Sequence, residues 1–425
     1  MKFKLLVFCI FIISTAFQCD RDEATEPTDN DNPPIDTPFT PTSWTRGNGT
    51  ESNPYLIENA EQLVYLSLKV NETNTQAPYY TQNRFEHIYF KITNDINMAN
   101  IDFEPIGKSS NFNFLGNLNG NSKIISNLKI NSTSETEATG LFGYAEGNFK
   151  NIILSNCEIT GVNNVGGICG FFHGRDFIRL ETCSVTGIIN GKIRVGGIIG
   201  QASGATTTEL CTFDGTVTGE SDTGGIVGEL LNSKIRKCVN RGVITSMGTD
   251  AYLYYGVHSG GITGSTYNGY FENCINKGLV KSTKTAGGIV GHSGGPNYMS
   301  AEYNEVKNCY NMGDVKSTNG IAAGIMGYRG GGEINYTFTT GRITSGNSYS
   351  ENTQPIAANN YGTTTSYSFC LKGTVGNMPN SGYEESFMKS ADLINELNYD
   401  QAGIVWKRDP NNQINNGFPY LAWEE

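Results

Sequence analysis

The segment Gly166-Gly167-Ile168-Cys169-Gly170 contains the pattern that decides the fold: two glycines, an isoleucine, a variable residue and a closing glycine. Successive copies of this pattern begin 27 to 36 residues apart. A regular period of this size predicts a stack of structural repeats. Including a weaker match at each end, the copies begin at Thr139, Gly166, Gly196, Gly224, Gly260, Gly287 and Ala323.

A cysteine accompanies this pattern in six repeats and is followed four residues later by a glycine, as in Cys183 and Gly187. One cysteine per repeat at a fixed register predicts a buried column, with ~4.8 Å between neighbours. Plain packing is the simplest role, because free cysteine behaves as a small apolar side chain. Disulfides between neighbours are an alternative that parallel side chains disfavour, and a column does not offer the tetrahedral geometry of a zinc site. The other members are Cys157, Cys211, Cys238, Cys274 and Cys309.

The repeat is too short to hold three strands and a helix as well. Glycine accounts for 52 of the 425 residues and only 17% are charged, a composition typical of short strands joined by tight turns. Such strands cannot bury a face alone, but coils stacked on one another share a continuous core. The sequence therefore predicts an all-β protein, a right-handed parallel β-helix (β-solenoid) with short helical caps. Its predicted inward ladder consists of Ile168, Ile198, Ile226, Ile262, Ile289 and Ile325.

Both ends of the solenoid are expected to be covered, because an open end would expose the core. Asn59 predicts the start of a helix through Val70, with Gln62 at the capping-box position. A second helix is predicted from Ser390 to Leu397. Residues 354–358 lack the double glycine that is due there, so degenerate last coils are expected.

The N-terminus has the pattern of an export signal. Lys2 and Lys4 precede an apolar run over residues 5–17, which is too short to span a membrane and is typical of a signal peptide. Cys19 follows at the place where bacterial lipoproteins carry their lipid, although Gln18 is larger than the usual preceding residue. The acidic residues after Cys19 resemble the tether that sends lipoproteins of Bacteroidota-type bacteria to the outer face of the outer membrane. Ordinary secretion is the alternative.

The repeats resemble the GLUG repeat, named for its Gly-Leu/Ile-Val-Gly core, from about Gly47 to the C-terminus. The lead-in over residues 53–57 and the ending over residues 416–421 are similar to those of the family. This resemblance implies an extracellular β-helix, and it is nearly silent about activity. The family occurs in surface proteins, in proteins described as adhesins and in non-catalytic regions of some IgA-cleaving metalloproteases.

Catalytic and metal-binding patterns are mostly missing from the sequence. The segment 291–295 fits the G-x-S-x-G nucleophile elbow, but Gly291 closes a repeat and no histidine follows His292. A calcium site is conceivable at four residues, but their spacing is not that of an EF-hand and a turn is favoured. We therefore predict no catalytic residue, no metal and no cofactor. The four residues are Asp95, Asn97, Asp102 and Glu104.

Two repeats are longer than their neighbours, and their surplus residues are rich in tyrosine. Insertions in solenoids bulge from the surface, often on the binding face, and tyrosine suits recognition. The alternative is that these rings fold back as local lids. The predicted binding residues are Tyr252, Tyr254, Tyr255 and His258 in the first insertion, and Tyr298 and Tyr303 in the second.

The favoured function is a lipid-anchored, non-enzymatic cell-surface protein that binds a host or environmental protein or glycan. A carbohydrate-active β-helix enzyme or glycan-capture lipoprotein is the alternative, and a structural stalk is the third. Nucleic acid is not expected as a partner, because the net charge is −11. The predicted organisation is a signal peptide over 1–18, an acidic Pro-rich tether over 19–43, an N-terminal cap and first coils over 44–135, the repeat helix over 136–345, and last coils with a C-terminal cap over 346–425.

Overall fold

The structure, a computed structural model, describes residues 39–72, 85–175, 177–249, 256–294, 303–346, 353–358, 363–376 and 378–425. Over these ranges the chain winds into a parallel β-solenoid of about eight turns, with few helices. The predicted class, an all-β parallel β-helix, is confirmed. Cys19, the predicted signal peptide and most of the predicted tether lie outside the described residues. No helix in the described ranges is long and apolar enough to span a membrane.

The coils that carry the glycine pattern contribute to three parallel sheets, two of which flank the pattern, whereas the strands before Phe142 belong to sheet 3 alone. Sheet 1 leads into the double glycine, and sheet 2 follows the isoleucine. The strands of sheet 1 are Asn163–Gly166, Ile193–Gly196, Ser221–Gly224, His258–Gly260, Thr285–Gly287, Ile321–Ala323 and Thr353–Gln354. The strands of sheet 2 are Phe142–Ala145, Cys169–Gly174, Ile199–Gly204, Val227–Leu231, Thr263–Tyr267, Val290–Ser293 and Met326–Arg329.

Sheet 3 is the long sheet that closes each coil, and it bends at the cysteine register. Its strands are Tyr55–Ile57, Tyr89–Ile92, Ile96–Asn97, Asn117–Asn119, Ile124–Ser126, Lys129–Asn131, Phe149–Lys150, Ile153–Thr160, Arg179–Glu181, Ser184–Asn190, Thr207–Glu209, Thr212–Gly219, Lys234–Arg236, Val239–Asn240, Val243–Ser246, Tyr270–Glu272, Ile275–Asn276, Val280–Ser282, Glu305–Lys307, Tyr310–Asn311, Val315–Ser317, Gly332–Thr339, Ile343–Ser345 and Thr363–Cys370.

The isoleucine ladder runs through the core as predicted. All six predicted members are fully buried, and the amide of each donates to the carbonyl of the isoleucine one coil later, as Ile226 does to Ile262 at 2.9 Å. Ile356 extends the ladder, because the amide of Ile325 donates to its carbonyl at 2.9 Å. The segment without the double glycine is therefore still a coil.

A second, polar ladder lies inside the solenoid. Asn240 donates through Nδ2 to Oδ1 of Asn276, and Asn276 donates in the same way to Asn311, each at 2.7 Å. All three side chains are fully buried. A methyl group on Gly261 would lie 2.4 Å from the Asn276 amide carbon, so the second glycine of the repeat leaves the space that this amide fills.

The cysteine column has five members rather than six. Cys183, Cys211, Cys238, Cys274 and Cys309 occupy one register. Cys157 pairs with Gly187 instead, four register positions away from the column. It lies 9 residues before its double glycine at Gly166, whereas Cys183 lies 13 residues before the one at Gly196. All eight cysteines in the described ranges are buried and free.

Helix α1, Ala60–Asn71, forms at the predicted place and packs onto the first coils. Asn59 Oδ1 accepts from the amide of Gln62 at 3.0 Å, and the Gln62 side chain accepts from the amide of Glu58 at 2.7 Å. Leu63 and Leu66 are fully buried in the main core. A short 3₁₀ helix, Ser110–Phe112, follows later in the chain.

The C-terminal segment forms a second core on the outside of the solenoid. It contains α2 (Glu385–Met388), α3 (Ala391–Leu397), an antiparallel pair (Trp406–Lys407 with Tyr420–Leu421) and a 3₁₀ helix (Ala422–Glu424). These elements cover an outward ladder of sheet 3 that spans five coils. The C-terminal helices therefore lie on the side of the solenoid, whereas the sequence predicted them as a cap over its end. The ladder consists of Val239, Ile275, Tyr310, Phe338 and Phe369.

Candidate functional site

The closing glycine of each repeat brings the outer edges of sheets 1 and 2 together. A methyl group on Gly228 would lie 2.6 Å from the backbone of Arg194, and one on Gly264 would lie 2.4 Å from the backbone of Asp222. No side chain larger than hydrogen fits there. The residue two positions before a double glycine therefore contacts the residue directly after the closing glycine of the next coil. Arg194 and Glu229 are such a pair. Polar and aromatic side chains from both sheets thus meet along one edge.

The first contact at this edge is a charged one. Glu229 Oε2 accepts from Arg194 Nε and from Gln201 Nε2, both at 2.7 Å. Burial raises the pKa of the Glu229 carboxyl, although Arg194 works in the opposite direction. The pair is therefore fixed in place, and both its side chains are largely shielded from solvent.

One coil further, three stacked rings and a carboxylate lie along this edge. We name this group the His258 stack: Asp222, His258, His292 and Tyr328. His258 Nδ1 lies 2.9 Å from Asp222 Oδ1. The rings of His258 and His292 are 4.3 Å apart at 15°, and those of His292 and Tyr328 are 5.0 Å apart at 11°. Burial, with His258 nearby, lowers the pKa of His292 well below its usual value. His292 is therefore held as a neutral ring between two others.

The predicted binding residues fall in three different situations. Tyr252, Tyr254, Tyr255 and Tyr298 lie outside the described residues. His258 is only 8% exposed, because Asp222 and His292 occupy its edge and face, so the expectation of a surface histidine is corrected. Tyr303 is 56% exposed.

Tyr303 belongs to a second candidate surface on the outer side of sheet 3, which we name the Tyr303 face: Tyr270, Tyr303, Glu305 and Glu333. Glu305 and Glu333 are in register on adjacent coils, and Tyr270 occupies the same register one coil earlier. Partial burial raises the pKa of Tyr303, as do the charges of Glu333, to which it hydrogen-bonds, and Glu305. Tyr303 therefore lies within electrostatic reach of two carboxylates that are in register on adjacent coils.

The two glutamates of this face have more acidic than basic neighbours. Burial raises the pKa of Glu305, Lys307 opposes this rise, and Glu333 and Glu272 add to it. Among the described ion pairs none includes Glu305 or Glu333. Lys234 lies 5.7 Å from the ring centre of Tyr270. The face thus combines phenol rings with carboxylates that would be stabilised by a positive or hydrogen-bond-donating ligand.

The other residues that the sequence singled out have structural roles. Ser293 of the G-x-S-x-G segment is fully buried inside the solenoid, where a nucleophile could not meet a substrate. Asp95 accepts from the amide of Ile124 at 2.9 Å, and Glu104 pairs with Lys108 at 3.1 Å. No group of three potential ligands is arranged for a metal within the described ranges.

The sequence reading did not single out Asp222, Glu229 or Tyr328, yet a signal for them was present. Each stands at a fixed offset from the glycine pattern: Asp222 two residues before Gly224, and Glu229 and Tyr328 directly after a closing glycine. Aligning the repeats and comparing residues at one offset would have placed these side chains on one edge.

Comparison with known proteins gives one partial sequence match and a match of the fold. No family model matches the chain. Halomucin of Haloquadratum walsbyi (strain DSM 16790 / HBSQ001) is 31% identical over 161 residues, which cover 37% of this chain. The chain covers 2% of the length of halomucin, so this match concerns only a small part of that protein.

Two solved structures resemble the chain. A protein of Bacteroides ovatus, provisionally assigned as an immunoglobulin A1 protease, is similar over 90% of this chain and 96% of its own, with a TM-score of 0.51 and 19% identity. An IgA1 protease is similar over 73% of this chain and 23% of its own, with a TM-score of 0.48 and 17% identity. At 19% identity a structural likeness shows the fold alone. The chain therefore shares the parallel β-helix fold with the Bacteroides ovatus protein.

Proposed function

We propose that this chain is a surface or secreted β-helix protein that binds a host or environmental protein or glycan without transforming it. The similarity to halomucin and to the Bacteroides ovatus protein supports a location outside the cell. The proposed anchor is a lipid on Cys19, with the acidic tether of residues 19–43 holding the solenoid away from the outer membrane. The GLUG-like repeats are proposed to form the scaffold of the binding surface.

The observation that carries this proposal is the exposure of Tyr303. Tyr303 is 56% exposed where the described chain resumes after the second insertion, within electrostatic reach of Glu305 and Glu333. Phenol rings are frequent in recognition surfaces, because they offer a broad apolar face and a polar tip. A tyrosine ring has few rotatable bonds, so it loses little conformational freedom when a partner covers it.

A glycoside-cleaving enzyme is the second candidate, because Glu305 and Glu333 are stacked in register. Adjacent strands place such carboxyl groups ~4.8 Å apart at their backbones. Burial raises the pKa of Glu305, and a pair with one raised carboxyl pKa is what acid–base cleavage of a glycosidic bond requires. This candidate needs turnover, whereas the favoured function needs only binding.

The test is a screen of the purified protein on glycan and protein arrays, followed by variants against the best hit. We expect Tyr303→Ser to weaken binding at least tenfold and to leave the melting temperature nearly unchanged. Tyr399→Ser is the matched control, because Tyr399 is 60% exposed in the C-terminal segment and should bind like the wild type. Equal binding by the wild type and Tyr303→Ser would remove the Tyr303 face from the proposal.

Two further variants separate the alternatives. Glu305→Gln should abolish glycan cleavage if the chain is an enzyme, and no cleavage should be measurable in the wild type if it only binds. Replacing Tyr254, Tyr255 and Tyr298 by serine together should remove binding at unchanged stability if the insertions contact the partner. A large loss of stability with binding retained would make those rings lids. A wild type that binds nothing on the arrays would favour the structural stalk.

A further inference from the structure

The His258 stack joins the two strand ends from which the longer insertions depart. His258 opens the sheet 1 strand His258–Gly260, directly after the first insertion, and His292 lies in the sheet 2 strand Val290–Ser293, directly before the second. The insertions leave different sheets of adjacent coils, yet their described flanks meet through rings 4.3 Å apart. Gly256 packs so closely on His258 that a methyl group there would lie 2.1 Å from Nε2.

We propose that the His258 stack is an acid-sensitive latch, which holds these two strand ends together at neutral pH and lets them open when the surroundings become acidic. The inference goes beyond the proposed function, since it concerns the chain alone and needs no partner. It rests on a geometry in which one imidazole is paired with a carboxylate and the other is closed in between two rings.

The charged groups around the stack are placed differently for the two imidazoles. Asp222 is 4% exposed, and its Oδ1 lies 2.9 Å from Nδ1 of His258, so this carboxylate is engaged by His258. His292 has Ser265 in register on one side and Tyr328 on the other, neither of which offers a negative charge. Thr285 continues the register of His258 on the next coil.

The remaining charged groups on the neighbouring strands do not compensate a second proton. Glu229 is engaged by Arg194 and Gln201. A proton on His292 would therefore face His258 across the stack with no counter-charge of its own. A charged imidazole in a partly buried place loses hydration and gains no ion pair there, so protonation of His292 is unfavourable while the stack is closed.

The direction of the pH effect follows from linkage. The pKa of His292 is lowered in the closed state, while an open strand end offers a solvated imidazole with a pKa near ~6.5. The open state thus binds more protons below that pH, so closure is strongest above it and weakens as the pH falls. A proton that only the open state binds makes opening about tenfold more favourable for each pH unit below ~6.5 and has almost no effect above it, which amounts to about 30-fold between pH 8 and pH 5.

The test is amide hydrogen exchange of the purified protein at pH 8 and pH 5, corrected for the intrinsic pH dependence of exchange. We expect the protection of His258–Gly260 and Val290–Ser293 to fall about 30-fold at pH 5. His292→Phe keeps a ring in the stack and removes the proton site, so its protection should change little with pH. His173→Phe is the control, because His173 bonds to Ser203 elsewhere on sheet 2 and should leave the wild-type response intact.

Protection that is independent of pH in the wild type would overturn the latch, as would an unchanged pH response in His292→Phe. Should that variant fail to fold, the imidazoles of the wild type give a second readout by NMR. The chain has four histidines, so each labelled ring can be assigned. A folded-state titration of His292 at or above pH ~6.5 would contradict the proposal, and a ring that stays neutral until the strands open would support it.

Discussion

The asparagine ladder shows how a polar residue can serve as core. An amide both donates and accepts, so Asn276 satisfies Asn240 on one side and Asn311 on the other while its Oδ1 also accepts from the amide of Gly278 at 3.2 Å. A buried polar group without partners is costly. The stack removes that cost by repeating one residue at one register.

Asn276→Asp should therefore destabilise the protein far more than its small change in size suggests. The new carboxylate cannot donate to Asn311 and places a charge in the core, so we expect the free energy of unfolding to fall by about 3 kcal/mol or more at pH 8. Urea unfolding at pH 8 and pH 4 checks this, and the loss should shrink at pH 4 as the carboxyl protonates. Asn319→Asp, at an exposed position, should cost almost nothing.

Asp409 stabilises the C-terminal segment through backbone hydrogen bonds. It is 3% exposed and accepts from the amides of Gln413, Ile414, Asn415 and Gly417 at 2.7 to 3.1 Å. Burial alone would raise the pKa of this carboxyl, but the four donors together outweigh it and the pKa is lowered.

The stability supplied by Asp409 should therefore depend on pH in a definite direction. The folded-state pKa lies below the unfolded value of ~3.9, so the contribution is complete above that value and is lost as the pH falls through the folded pKa. Asp409→Asn should lower the free energy of unfolding at pH 6, and the difference from the wild type should shrink as the pH falls below about 4. A difference that is constant from pH 6 to pH 2.5 would contradict this account.

At the scale of elements, the cysteine column marks a corner of the solenoid. Each thiol donates to the carbonyl two residues earlier, as Cys211 does to Glu209 at 3.3 Å and Cys238 does to Arg236 at 3.2 Å. The residue between, such as Leu210 with φ 56°, adopts the left-handed conformation. The thiol thus satisfies a carbonyl where the sheet bends, in addition to filling space. Burial raises the pKa values of the Cys183, Cys211 and Cys238 thiols.

Alkylation should report this burial directly, because the thiolate is the reactive form. Iodoacetamide should leave Cys183, Cys211 and Cys238 unmodified in the folded protein and label them in denaturant without reductant, as peptide mass spectrometry would show. Labelling that required a reductant would instead mean that neighbouring members of the column are joined as disulfides.

The repeat pattern made the coils predictable, but not what packs on them. The ladder through Ile226 and Ile289 followed from spacing alone, because glycine is needed at a fixed place in each coil. The predicted register of Cys157 was wrong, although the spacing held the signal: Cys157 lies 9 residues before Gly166, whereas Cys183 lies 13 residues before Gly196. Asn276 looked like one of many turn asparagines. Ser390 predicted the start of α3, yet nothing local indicated that this helix would pack on the strands Gly332–Thr339 and Thr363–Cys370 of sheet 3.

At the scale of the whole molecule, the proposed lipid anchor on Cys19 can be tested directly. Cys19 is the thiol placed directly after the predicted signal peptide, so Cys19→Ala should move the protein from the membrane fraction to the soluble fraction. Added protease should remove the wild type from intact cells if it faces the exterior. Retention of Cys19→Ala in membranes, or protection of the wild type, would contradict the anchor or its orientation respectively.

The outward ladder from Val239 to Phe369 also sets an order of events during synthesis. Its covering residues come last: Glu424, which accepts from the Tyr310 hydroxyl at 2.9 Å, lies 114 residues further along the chain. Until those residues are synthesised, the coils can form but the apolar side chains of the outward ladder remain exposed to solvent. A chain that ended a few dozen residues early would thus form its coils but leave this apolar ladder exposed, and we expect it to self-associate. The final segment would then protect the rest of the protein from aggregation as soon as it docks.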